Sequence, residues 1–271
     1  MSSDDDAVAL VRFLSVDRLA TFQVITGSLS EAVSLHQQTM RIGAQVMAVT
    51  AVIEVALRNA VYARLEQYYG RPDWLRAPNI IPWASPELSK IRDAHKNARR
   101  AIYAKMNQAD KRALDLAAFA GPVPEEYRTG GHRSHLRLVA ERHKQIDVTM
   151  GQIVAQLTFF FWKRMYSKEY QNIFWQPLKT LFPARELKRP IIATQLEFLY
   201  QSRNRAAHHE PILGRRLQET LDAADFFLAH FDGKDQAGIS HISKLLAEDL
   251  SQLKNMAIQL NQRIEEFKVR A

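Results

Sequence analysis

Between Val46 and Ala63 the chain reads VMAVTAVIEVALRNAVYA, apolar on almost every face of a helix. A segment of this kind is stable only where neighbouring elements cover it, so it predicts a central helix in an all-α core. Its polar exceptions are ordered: Thr50, Glu54 and Arg58 recur at steps of four and draw one line along the helix. Glu54 precedes Arg58 in the order that favours an i,i+4 ion pair. Either the pair satisfies itself, or Glu54 meets a cation from another helix, because a polar line inside a core needs every member satisfied. With Asn59, these residues interrupt the tract often enough to argue against a membrane span.

The remainder of the composition agrees with an all-α fold. Ala, Leu, Gln, Glu, Lys and Arg outweigh β-branched runs, and the 271 residues include only ten glycines. The absence of cysteine excludes disulfides and thiolate metal sites. A formal net charge of +8 suits a polyanionic partner, though many basic proteins bind nothing acidic. The opening MSSDDDAVAL has neither the basic start nor the apolar core of a secretory signal. The expectation is a cytoplasmic protein with no membrane partner.

Along the chain, residues 1–15 read as a loosely ordered lead-in, 16–232 as one helical domain, and 233–271 as a C-terminal helix. Helical spacing runs from Ser28, which with Glu31 fits a capping box, to Gly70, with a possible break at Gly43. RPDWLRAPNIIPWASP, residues 71–86, holds four prolines and cannot be a regular helix. Helices are expected over 87–106, then to Ala120, with a loop at 121–132 and helical spacing again over 134–166. Short pieces follow at 172–179 and 184–187, then helices over 190–209 and 216–230, a turn at Asp232-Gly233 and a last helix from Ser240. In that last helix Leu246, Leu250, Leu253, Ala257, Leu260, Ile264 and Phe267 make a heptad seam. The seam either packs on its own domain or forms a dimeric coiled coil.

The stretch LYQSRNRAAHHEPIL, Leu199 to Leu213, gathers charge at a helix end fixed by Pro211. On a helical wheel Leu196, Leu199, Tyr200, Arg203 and Ala207 share a stripe, which puts Arg203 inside the apolar seam. Asn204 and His208, four apart, flank it, while Arg205 and His209 lie further towards solvent. His208 falls in the last turn, where the helix C-terminus attracts positive charge. These residues could be a capped helix end, or an arginine paired with a core carboxylate, or a catalytic set. The two histidines point to different faces and lack the HExxH spacing of a zinc site.

Two further groups are basic. Arg92, Lys96, Arg99 and Tyr103 form one stripe, with Lys90, Arg100 and Lys105 nearby. Such a stripe is either a solvated helix face or a track for a phosphate backbone with a ring to stack on a base. His132, His135 and His143 lie beside Arg133, Arg137 and Arg142 on what reads as an anion-facing surface rather than a metal site. LTFFFWKRMY reads as core packing.

Taken together, EVALRNAVYARLEQYYGRPDWL, GQIVAQLTFFFWKRMYSKEYQNIFW and RNRAAHHEPIL resemble, in this order, the sequence blocks of Abi-like (abortive-infection) proteins of the HEPN superfamily. The resemblance spans residues 35–215, with no matching block over 80–142. It implies an all-α HEPN-type bundle that dimerises and brings two RNxxxH helices together. It also implies a metal-independent endoribonuclease of phage-defence or toxin type, working without cofactor on RNA, with an antitoxin or other defence protein as a possible partner. RNxxxH falls on Arg203, Asn204 and His208, with Glu54, Arg58 and His209 in support. The residues expected on the RNA, Arg92, Lys96, Arg99, Tyr103, Arg133 and Arg137, come from the basic stripes and lie outside the matching blocks. The alternative is an Abi-like protein that binds RNA or a protein partner without cutting.

Overall fold

The computed structural model describes residues 4–77, 80–231 and 238–270. Among them there is no β-strand, so the fold is all-α. The helices are α1 (Asp4–Leu14), α2 (Val16–Thr26), α3 (Leu29–Tyr69), α4 (Ser85–Tyr103), α5 (Gln108–Phe119), α6 (Glu125–Arg128) and α7 (Gly131–Lys144). They continue as α8 (Met150–Val154), α9 (Phe159–Arg164), α10 (Gln171–Leu178), α11 (Arg189–Ala207), α12 (Gly214–His230) and α13 (His241–Arg270). The chain divides into two compact units, Met1–Val61 with Lys163–Ala271, and Tyr62–Trp162. This division cuts across the three expected segments, and the boundary expected at 232–233 lies outside the described residues.

The first unit is organised on α3. Its N-terminus is capped by Ser28, whose Oγ accepts the Glu31 N–H at 3.4 Å, while the Glu31 carboxylate pairs with Arg270 of α13. Ile42, Val46, Val49, Ile53, Leu57 and Val61 are buried at steps of three and four, so the apolar tract covers one seam rather than its whole circumference. Val55, on the other side, is exposed. By length and composition α3 is apolar enough to cross a membrane, with mean hydropathy 1.6 over its most apolar stretch. Glu54 and Arg58 are the only charges between Val46 and Ala63, too few to exclude a span on composition as the sequence suggested.

The break expected at Gly43 does not occur. Gly43 faces α11, where a Cβ on it would stand 3.9 Å from the Ala206 Cβ, so the glycine marks a close helix–helix approach. The seam of α13 is buried within its own unit at Leu246, Leu250, Leu253, Ala257, Leu260 and Phe267, with Ile264 half-buried. Gln45 donates to both the backbone and the carboxylate of Asp249, and Arg263 donates to Ser34 and Gln38. Its apolar line is therefore occupied within the chain. α11 and α12 form a helical hairpin. Residues 184–187, expected as a helical piece, form a turn closed by Leu187 N–H to Ala184 O at 3.1 Å.

In the second unit Ile91, Ala94, Ala98, Ile153 and Phe161 are buried with Trp74, Leu75, Ala77, Ile81 and Trp83 of the proline-rich segment, whereas Pro72, Pro82 and Pro86 are exposed. The helix expected over 134–166 is three helices, α7 to α9. The interruption has a local cause: Thr149 and Gln152 form a reciprocal capping box that starts α8. That T-x-x-Q signal is present in the sequence. The loop expected at 121–132 contains the single turn α6 and the start of α7.

Candidate functional site

The motif residues sit at the C-terminus of α11. The buried face of this helix is Ile192, Leu196, Leu199, Ser202 and Ala206, so the seam runs through Ser202 and not through Arg203. The reason is a polar pair: Ser202 Oγ lies 2.6 Å from Thr220 Oγ1, which donates to Arg216 O at 2.7 Å. With the Thr220 proton so committed, Ser202 is the donor, and a small satisfied hydroxyl can be buried where a guanidinium could not. Arg203 is thereby turned to the rim of the seam and is half-buried, a correction to its expected place, and Ala207 is exposed.

At that rim Arg203 meets Glu54 of α3. Arg203 Nε lies 3.9 Å from Glu54 Oε2, and Arg203 Nη1 donates to Asn204 Oδ1 at 3.3 Å. The polar line of α3 is thus not a self-contained network. Thr50 returns its hydroxyl to Val46 O at 2.7 Å, Glu54 faces Arg203, and Arg58 donates to the neighbouring Asn59 Oδ1 at 3.4 Å. Glu54 supports Arg203, whereas Arg58 turns to Asn59.

His208 is the C-cap residue and is exposed, as is His209. The chain leaves the helix through a Schellman turn: His209 N–H bonds Ala206 O at 3.0 Å and Glu210 N–H bonds Arg205 O at 2.8 Å. His209 takes the left-handed position with φ 56°. Two arginines lock the turn. Arg18 of α2 donates to His209 O at 2.8 Å, and Arg205 donates to Pro211 O and pairs with Glu210 at 3.2 Å. Arg205 is therefore a turn clamp. Arg18, 191 positions away, carried no sequence signal for its role.

The expected RNA-binding residues belong to the other unit. Arg92 and Lys96 are exposed on α4, and Arg133 is exposed on α7. Arg99 is tied by its Nε to Ile146 O at 3.0 Å. Arg137 lies over the Tyr127 ring at 5.0 Å. Tyr103 is not the open stacking platform its spacing suggested: Lys111 lies 5.0 Å over its ring, His143 meets it edge-on at 4.8 Å, and its hydroxyl accepts from Arg142 at 3.0 Å. Arg142 in turn forms a two-pronged ion pair with Asp115, at 2.6 and 2.8 Å. Burial, then the positive charges of Arg100, Arg99 and Lys96, push the His143 pKa down, so this end of α4 has a high density of cations.

Chemically, the α11 terminus offers a guanidinium paired with a carboxylate, an amide on the next residue and, about one helical turn further along, an exposed imidazole. Among the described residues no group of three or more His, Asp or Glu is placed to hold a metal ion. No family model matches the chain, and neither a curated protein nor a solved structure matches it.

Proposed function

We propose that the chain is a metal-independent endoribonuclease of the Abi-like, HEPN kind, using Arg203, Asn204 and His208. The observation that carries this reading is the pairing of Arg203 with Glu54 beside an exposed His208 at the end of one rigid helix. RNA can be cut without metal when its 2′-hydroxyl attacks the adjacent phosphate, leaving a cyclic phosphate and a free 5′-hydroxyl. That reaction needs a proton acceptor, a proton donor and positive charge on the phosphate. An imidazole, with an unperturbed pKa of about 6.5, suits either proton role, and an arginine fork suits the phosphate. Glu54 limits the freedom of Arg203, and Asn204 accepts from it.

One chain contributes one His208, so the acid and base are best divided between two copies in a homodimer that brings the α11 termini together. In this reading Arg92, Lys96, Arg99, Arg133 and Arg137 of the other unit supply further phosphate contacts, with Tyr103 a packing residue. The setting we propose is cytoplasmic defence, with activity restrained by a partner protein.

The test is cleavage of mixed RNA in EDTA by the purified chain and by His208→Ala. The expected result is cyclic-phosphate products from the wild type and a loss of about 10²-fold or more in the variant. Equal cleavage by both would remove His208 from catalysis. RNA retention without products from either protein would instead favour a binding protein that grips phosphate through the same cluster.

A further inference from the structure

The opposite end of α11 borders a large cleft in the first unit. Arg189 and Ala207 are about 27 Å apart along the helix at 1.5 Å per residue, so this cleft is remote from His208. It measures about 760 Å³ and opens to solvent between α10, the chain after it and the first residues of α11. That size is within the roughly 300–1,000 Å³ of small-ligand sites.

Its walls carry Lys179, Arg185, Lys188 and Arg189, together with Thr180 and the indole of Trp175, and no acidic side chain. None of these four cations is paired with a carboxylate among the described residues. Arg189 is the most informative. Its Nε donates to Gln171 Oε1 at 2.9 Å and its Nη1 to Tyr166 O at 2.7 Å. Both acceptors are neutral, so the guanidinium is fixed in direction while its charge stays unspent. Four cations around one cleft repel one another, and a multiply charged anion removes that repulsion. Trp175, half-buried in the wall, adds an aromatic surface of the kind on which a base stacks. α11 also begins here without a side-chain cap on its first amides.

We propose that this cleft binds a nucleotide through its phosphates and its base, either a free nucleoside polyphosphate or the 5′-phosphorylated end of an RNA. The proposal does not rest on the reading of Arg203, Asn204 and His208, with which the cleft shares a helix but no residue.

The experiment titrates the full chain with ATP, AMP and inorganic tripolyphosphate by calorimetry at near-physiological salt. The expected result is binding of ATP and tripolyphosphate, with AMP weaker by about tenfold or more because it brings fewer charges. Arg185→Ala with Lys188→Ala, both at exposed positions, should weaken ATP by about tenfold or more. Trp175→Ala should weaken ATP while leaving tripolyphosphate unchanged. His208→Ala should bind ATP as the wild type does. Short RNAs with a 5′-triphosphate or a 5′-hydroxyl, used to displace a fluorescent ATP analogue, separate the two sources. Tighter displacement by the triphosphate RNA than by ATP assigns the RNA end, and weaker displacement assigns the free nucleotide. Absence of binding by both ATP and tripolyphosphate would overturn the proposal. So would unchanged ATP affinity in the Arg185/Lys188 variant with a wild-type circular dichroism melt.

Discussion

At His209 two demands on one residue can be separated. The Schellman turn after α11 needs a left-handed residue there, and glycine meets that need without the clash of a Cβ, while any other side chain adds about 1 kcal/mol of strain. The His209 side chain is exposed, so little packing offsets the strain. His209→Gly is therefore expected to raise stability by about 1 kcal/mol, read as a higher urea midpoint at unchanged slope. If the imidazole helps on RNA, cleavage falls in the same variant that has become more stable. A lower midpoint would mean that the ring holds the turn through interactions the geometry does not contain. The same scale sets what a sequence can disclose about this site. The residue types Arg203, Asn204 and His208 were legible from spacing, and so was the prospect of Glu54 meeting Arg203. The exact burial of Arg203 was not, because it depends on Ser202 finding Thr220, eighteen positions away. Arg18 was illegible for the same reason: its partner is a backbone carbonyl 191 positions away.

Among the elements, α3 and α13 were legible because their burial follows an unbroken helical period. The 41 residues of α3 pass straight through Gly43, since glycine in a helix lowers stability without ending it. What the glycine provides is proximity to α11: the nearest atoms to an added Cβ are the Ala206 Cβ at 3.9 Å and Cα at 4.0 Å, ordinary packing distances. A methyl group fits. Gly43→Ala is expected to stabilise the first unit by about 0.5–1 kcal/mol through helix propensity and a less flexible unfolded chain. Gly43→Leu should destabilise it by about 1–3 kcal/mol, because α11 must move aside. Since α11 carries Arg203, the larger substitution should also lower RNA cleavage, while the alanine variant keeps it. Denaturant melts alongside the cleavage assay check both, and a destabilised alanine variant would show the approach to be closer than ordinary contact. In contrast to α3, the stretch over 134–166 is three helices where its spacing predicts one, because apolar spacing continues across the breaks and only the cap at Thr149 marks a restart.

On the scale of the whole molecule, the two units share one acid-sensitive feature. His36 in the first unit is buried with neither ring nitrogen bonded, edge-on to Phe22, and burial followed by the charge of Arg18 lowers its pKa. In the second unit burial lowers His95, helped by Arg99 and Arg76, and lowers His143, helped by Arg100, Arg99 and Lys96. Each of the three binds fewer protons folded than unfolded. By linkage their contribution is complete above the unfolded value, about 6.5, and declines as the pH falls through it towards the folded values. The division into units was invisible in the sequence, because it depends on which distant segments pack together, yet it determines how this decline is observed. Thermal melts between about pH 7.5 and 5.5 should show a falling midpoint. His36→Leu should flatten the fall of the first unit alone, leaving the part due to His95 and His143. A midpoint constant over that range would refute the common direction of these shifts. A fall undiminished by the substitution would remove His36 as its source.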